Sequence, residues 1–297
     1  MKIGFVGSAN TTIRCKPDKT FRLTSYSKTR VMHTIERNLQ CIQKTIEFSS
    51  QNSLYFYRIA DFIPFISHSI SISWEEIDKI YSDLFVTIGK TIKKHNMRIS
   101  MHPGQYTIIN SPKQEIVEKS IKELEANAWI LDKFQLNKTA KIQIHVGGVY
   151  GNKAKSLQRF VENFKNLPEF VKKRLVIEND DRLFDLKDCL KLSTEITTPI
   201  VFDAFHHSIN NNNESIFDSL YAMKDLWKKD DGIPMVDWSY QEPRSRIGRH
   251  ANSIDLSLFK KFIYETNGMD FDLMLEIRDK EKSAIEAAKW LKKIGRI

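Results

Sequence analysis

The chain reads as a single-domain α/β protein, a (β/α)8 TIM barrel spanning residues 1–297. Three observations predict this fold. Short apolar runs alternate with amphipathic runs from end to end, which implies parallel strands joined by crossover helices. Eight such strand–helix units can be counted, the number that closes a barrel rather than leaving an open sheet. No glycine-rich or low-complexity stretch divides the chain, and barrels of this length form one unit.

Taken in order, residues 2–6 form the first apolar run. Residues 34–48 follow as a helix, with Ile35, Leu39, Ile42 and Ile46 at helical spacing. The aromatic and β-branched run LYFYRI predicts a strand at 54–59. Residues 74–94 place Ile77, Ile80, Tyr81, Leu84, Phe85, Ile88 and Ile92 on one helical face. Ser73 is the expected N-cap, and Glu76, three residues on, would complete a capping box. The alternation then predicts a strand at 98–102 and a helix at 114–135, then a strand at 141–145 and a helix at 153–173. Pro168 should break that last helix. Strands at 175–178, 200–203, 235–239 and 272–276 are followed by helices at 186–193, 214–229, 256–266 and 281–294. The polar, basic stretch 10–32 is expected to be a long loop over the barrel rim, and 210–213 a loop too short to link domains.

The hydrophobic fraction of 41% suffices for a sizeable core, and the formal charge of +9 favours a polyanionic partner. Nucleic acid comes first and an anionic membrane surface second. No apolar run approaches the roughly 20 residues of a membrane span, and MKIGFVGSAN lacks the form of a signal peptide. A soluble cytoplasmic protein with no membrane partner is expected. Cys15, Cys41 and Cys189 form no CxxC pair, so free thiols are expected rather than a disulfide framework or a thiolate zinc site.

The chemistry lies at the ends of the apolar runs. ISMH ends at His102, IQIH at His145, LVIE at Glu178 and LMLE at Glu276. IVFDAFH carries Asp203 and His206, and MVDW carries Asp237. In a (β/α)8 barrel these positions share the face built from the βα loops. Any one alone is more often a hydrogen-bonded structural residue or a helix cap. Together, several carboxylates on one rim would repel one another unless cations neutralised them. Imidazole and carboxylate without thiolate suit Zn2+, Mn2+ or Fe2+. A bridging carboxylate such as Glu178 could hold two ions at about 3.5–4 Å, the arrangement that serves phosphodiester hydrolysis. In HPGQY, Gln105 and Tyr106 could probe and stack on a displaced base, or form an ordinary loop turn. PRSRIGRHANS gathers Arg244, Arg246 and Arg249 around His250, suited to phosphate contacts or to a solvated basic loop. Asn10 could contact substrate or simply turn the chain.

These segments in sequence resemble the UV-damage endonuclease family, within the xylose-isomerase-like and apurinic-endonuclease group of metal-dependent barrels. The resemblance runs over nearly the whole chain, through IGFVGSAN, YRIADFIPFISH, SMHPGQY, IHVGG, LVIENDD, FDAFHH, SYQEPRSRIGRHANSID and LEIRDKE. It implies a nuclease that nicks duplex DNA immediately 5′ to a UV photolesion, leaving a 3′-hydroxyl and a 5′-phosphate. It also implies a cluster of two or three divalent ions, Mn2+ first, with Zn2+ or Mg2+ possible. On this reading His102 and His145 hold one ion, which Glu178 bridges to a second. Asp203, Asp237 and Glu276 complete the second, and His206 and His250 hold a third. Glu178, His68, His102 and Glu276 take direct part in catalysis, while Asn10, Gln105, Tyr106, Arg244, Arg246 and Arg249 meet the DNA or the lesion. The partner implied is double-stranded DNA carrying photoproducts, acted on by a monomer.

The chain departs from the family pattern at three places. Asp237 stands where the family usually has His, and Met235 where it has a Lys that can carry a carboxyl modification. Phe5 stands where Tyr is common. An added carboxylate at 237 would favour Mn2+ or Mg2+ over Zn2+. Two other activities use the same ligand types in the same barrel: apurinic-site endonuclease and divalent-metal sugar isomerase.

Overall fold

A computed structural model describes residues 1–9, 12–67 and 72–297. Eight parallel strands among these residues close into a barrel, each hydrogen-bonded to its neighbours in chain order. They are β1 (Ile3–Val6), β2 (Phe56–Ile59), β3 (Arg98–Met101), β4 (Lys141–His145), β5 (Leu175–Glu178), β6 (Ile200–Asp203), β7 (Met235–Trp238) and β8 (Asp272–Leu275). Closure comes from β1 pairing with both β2 and β8. The helices packed around them are α1 (Lys28–Gln51), α2 (Trp74–Lys94), α3 (Gln114–Lys133), α4 (Lys153–Lys165), α5 (Glu169–Lys172) and α6 (Leu186–Ile196). They continue as α7 (Ala204–Ile209), α8 (Ile216–Met223), α9 (Leu256–Glu265) and α10 (Glu281–Lys293).

Successive strand residues face opposite ways, and that period organises the barrel. Ile99 and Met101 on β3 and Ile142 and Ile144 on β4 are buried and belong to the hydrophobic core. The alternate residues carry polar groups. From the N-terminal to the C-terminal end they run Arg98, Ser100, His102 along β3 and its extension, and Lys141, Gln143, His145 along β4. Two strands thus repeat one pattern: cation, neutral polar group, imidazole. Gly4 on β1 has a local cause, since a Cβ there would stand 1.4 Å from the Phe56 carbonyl oxygen.

Element by element, the structure refines the expectations. Helix α2 has the bounds read from the sequence, and the Ser73 side chain accepts from Glu76 N. The Glu76 carboxylate pairs with Lys28 on α1. The chain breaks at Pro168, which stands at the N-cap of α5. The stretch 10–32 is not wholly loop: a 3-10 turn occupies Leu23–Ser25 and α1 begins at Lys28, with Ser27 as its cap. The expected helix at 214–229 shortens to α8, followed by 3-10 turns at Lys224–Leu226 and Lys229–Asp231. Between those turns the chain extends at Trp227, whose indole N–H donates to the Ile200 carbonyl at 2.9 Å.

The expectation of three free thiols is corrected. Cys15 and Cys41 form a disulfide across a separation of 26 residues. Helix α1 carries Cys41 back against the loop that holds Cys15, and Asn38 on α1 also donates to the Lys19 carbonyl of that loop at 2.9 Å. Cys189 is free, as expected; it is buried, and burial pushes its thiol well above the ordinary range.

Candidate metal centre and nucleic-acid cleft

Glu178 is the hub of the C-terminal face. It ends β5, and its carboxylate is 1% exposed. His102 Nε2 stands 3.1 Å from its Oε2, and His145 Nε2 3.6 Å from the same oxygen. On the other side His206 Nδ1 lies 3.2 Å from Glu178 Oε1 and 3.2 Å from Asp203 Oδ2. Two groups of possible metal ligands result, His102–His145–Glu178 and Glu178–Asp203–His206, sharing one residue.

Local structure explains how these side chains meet. His145 and Glu178 are register partners on adjacent strands. Asp203 is the last residue of β6 and also the N-cap of α7, its Oδ1 accepting from Phe205 N and His206 N. That tight turn into α7 returns His206 over the strand end. The buried Asn179 holds the turn, since its side chain donates to the Asp203 carbonyl and accepts from Asp203 N, each at 2.9 Å.

The site's charges are interdependent. Burial opposes ionisation of Glu178, yet His145, His102 and His206 hold its carboxyl well below the usual range. Burial also disfavours the His206 cation, but Asp203 and Glu178 outweigh it and raise the imidazole to about 11. Burial pushes Asp203 up to about 7 and, despite Arg58, Asp237 to about 7. His145 is lowered, first by burial.

The donor set fits divalent cations. His102 Nδ1 faces the Pro103 carbonyl at 3.0 Å, and His250 Nδ1 faces the Glu276 carbonyl at 2.9 Å. A ring N–H given to a backbone carbonyl leaves the lone pair on Nε2, the usual arrangement of a metal-ligating imidazole. Both Nε2 atoms face carboxylates of the site: Glu178 for His102, and Glu276 Oε2, at 3.9 Å, for His250. His145 Nδ1 is buried and has no hydrogen-bond partner among the described residues.

Above this centre opens a cleft of about 470 Å3 lined by Arg58, His102, Arg246, Arg249, His250, Glu276, Arg278 and Lys280, among others. The structure thus brings Arg246 and Arg249 to the site, while the exposed Arg244 is not part of this lining. Gln105 borders a small pocket with His102 and His145, and Tyr106 is 80% exposed beside it. Asn10 and His68 lie outside the described residues.

Sequence reading missed four residues that matter here. Arg58 and Gln143 sit in the middle of strands, inside the barrel beneath the ligands. Their signal was present, as a charged or amide residue within a buried apolar run. Arg278 and Lys280 line the cleft, Lys280 with a left-handed φ of 53° and its Nζ 3.3 Å from Ser8 Oγ. Both lie in the LEIRDKE segment, where only Glu276 was singled out. Asp237 was expected among the metal ligands. It falls in neither ligand group, and its carboxylate accepts from Arg58 and Gln143.

Fold and site together define a barrel enzyme with a carboxylate–imidazole centre at its strand ends and a basic cleft above. Over residues 1–297 the sequence matches the family described as UV-endonuclease UvdE. It is 38% identical over 300 residues to a UV DNA damage endonuclease of Clostridium perfringens, covering 100% of this chain and 72% of that protein. It is 32% identical over 291 residues to one of Bacillus cereus, covering 95% and 91%. The crystal structure of SacUVDE superposes with a TM-score of 0.94 at 42% identity, each chain covered in full. A D-psicose 3-epimerase, with a TM-score of 0.56 at 13% identity and coverage of 86% and 94%, shares the fold alone. The chain belongs to the UV-endonuclease UvdE family and is a DNA repair endonuclease. Among the described residues no helix is long and apolar enough to cross a membrane.

Proposed function

We propose that residues 1–297 act as one endonuclease domain that nicks duplex DNA immediately 5′ to UV photolesions, leaving a 3′-hydroxyl and a 5′-phosphate. The observation that carries this reading is the shared position of Glu178 between two ligand groups at the foot of an arginine-lined cleft. His102, His145 and Glu178 would hold one divalent ion, and Glu178, Asp203 and His206 another, a mixed imidazole and carboxylate set that suits Mn2+. Bound there, the ions supply Lewis-acid stabilisation of the attacking and leaving oxygens.

The chain's own residues do the rest. One water oxygen joins phosphorus, the bond from phosphorus to O3′ breaks, and O3′ leaves with a proton while the phosphate stays on the 5′ end of the downstream strand. Arg246 and Arg249 grip the backbone across the cleft, so binding weakens steeply with salt. Damaged pairs unstack cheaply, and Gln105 and Tyr106 fill the gap that opens. His250 and Glu276 wall the cleft next to Arg58. Asn10 and His68 are assigned to lesion contact and to catalysis.

The test is an end-labelled duplex with a single pyrimidine dimer, compared with an abasic-site duplex and an intact one. The expected product is a single cut directly 5′ to the dimer whose 3′ end a polymerase extends. Cutting of the abasic duplex alone, or of all three alike, overturns the assignment.

A further inference from the structure

Three candidate ligands remain outside the two ligand groups: Asp237, Glu276 and His250. The two carboxylates among them are bound by Arg58. This guanidinium enters the barrel from β2 and is 1% exposed. Its Nε donates to Ser100 Oγ at 3.2 Å, and its Nη2 to Gln143 Oε1 and to Asp237 Oδ1, each at 2.7 Å. Its Nη1 donates to Glu276 Oε1. The Gln143 amide continues the network, donating to Asp237 Oδ2 at 2.5 Å and to Glu178 Oε2 at 2.6 Å.

Both oxygens of Asp237 are therefore bound by protein donors in a fully buried setting. A divalent ion at Asp237 would have to displace a permanent cation that is 1% exposed and already bonded to four side chains. Glu276 has one oxygen on Arg58 and the other 3.9 Å from His250 Nε2, which leaves a single carboxylate oxygen and one imidazole facing each other. Met235, two residues before Asp237, is buried and apolar and adds no ligand.

We propose that Arg58 is the resident cation of this third cluster, so that the centre holds two divalent ions rather than three. Asp237 is the counter-ion of Arg58 and not a metal ligand. The proposal rests on the metal-dependent reading of the site given above. It joins the two unusual residues of β7 in one explanation: an acid at 237 gives the guanidinium a partner of opposite charge, and Met235 leaves nothing beside it to recruit an ion. Through Gln143, Arg58 also orients Glu178, which makes it a positioning residue for the ligand that both ions share.

Counting bound metal tests this without reference to activity. The full chain is stripped with a chelator, reloaded with Mn2+ and desalted, and Mn is measured per chain by elemental analysis. Two equivalents are expected in the wild type and two in Asp237→Asn. Arg58→Met frees Asp237 and Glu276, the latter facing His250, and is expected to gain an equivalent. Circular dichroism shows whether Arg58→Met folds, and if it does not, the other two counts decide. One or three equivalents in the wild type, or the loss of one in Asp237→Asn, overturns the proposal while leaving a metal-dependent centre standing. No bound Mn in the wild type overturns the metal reading itself.

Discussion

The two ends of the barrel handle buried charge differently. At the N-terminal end the charges are paired within the protein. Arg98 Nη1 bonds Asp272 Oδ2 at 3.0 Å and the Ile233 carbonyl, Nη2 bonds the Asp231 carbonyl, and the guanidinium lies 5.1 Å from the Trp227 ring. Lys141 bonds Asp231 at 2.5 Å, and Lys2 N bonds the other oxygen of Asp272 at 2.6 Å. A cavity of about 590 Å3 opens here, larger than the cleft over the ligands, but its Arg98 and Asp272 already bond each other. At the C-terminal end Glu178, Asp203, Asp237 and Glu276 converge, with Arg58 as the permanent cation among them and four imidazoles around. The first arrangement pairs its charges within the protein and serves stability. The second gathers carboxylates and imidazoles in two groups that could hold metal ions.

Changes at the two ends should therefore separate activity from stability. Glu178→Gln preserves shape and removes the charge both ligand groups share. Nicking of irradiated plasmid should fall about 10^3-fold or more, with the melting temperature in chelator little changed. Arg98→Met at the other end breaks a buried pair and leaves Asp272 uncompensated. It should cost about 3–5 kcal/mol in denaturant unfolding, while nicking at low temperature stays within about twofold of wild type. The comparison fails if both variants lose stability and activity alike.

The pH dependence of stability sharpens it further. His206 in the metal-free protein is raised to about 11, so the folded chain keeps a proton that the unfolded chain loses near 6.5. The stabilisation is complete below the unfolded value and is lost as pH rises toward the folded one. In chelator, wild type should lose melting temperature between about pH 7 and 9 relative to His206→Asn. Added Mn2+ competes with that proton, so its stabilising effect should grow over the same interval. Equal slopes in the two proteins would detach His206 from the carboxylates. The smallest effect is expected at Tyr106, whose ring is largely exposed. Stacking is worth about 1–3 kcal/mol per base, so Tyr106→Ala should reduce the preference for irradiated over intact DNA about tenfold, with no change in melting temperature.

Much of the barrel was legible because strands buried on both faces read as short apolar runs, and because imidazoles and carboxylates at strand ends interrupt those runs. His102, His145, Glu178, Asp203 and His206 announced themselves in this way and do converge. Helix α7 escaped notice because Asp203 serves both as the end of β6 and as the cap of the next helix. Arg58 and Gln143 were passed over as polar residues inside strands, although a charge in a buried run requires a partner. That partner, Asp237, lies 179 residues further on from Arg58 and meets it only once the barrel closes. The Cys15–Cys41 pair was hidden for the same reason: the thiols stand 26 positions apart across polar loop and helix, with no motif between them.

We propose that the carboxylate–imidazole rim is the nuclease centre and works only when divalent cations complete its charge. The most direct measurement is the conversion of supercoiled UV-irradiated plasmid to the nicked circle by the chelator-treated protein, with and without added Mn2+, beside unirradiated plasmid. Nicking of the irradiated plasmid should depend on Mn2+ and be nearly absent in chelator. Undiminished nicking in chelator, or equal nicking of both plasmids, would contradict it.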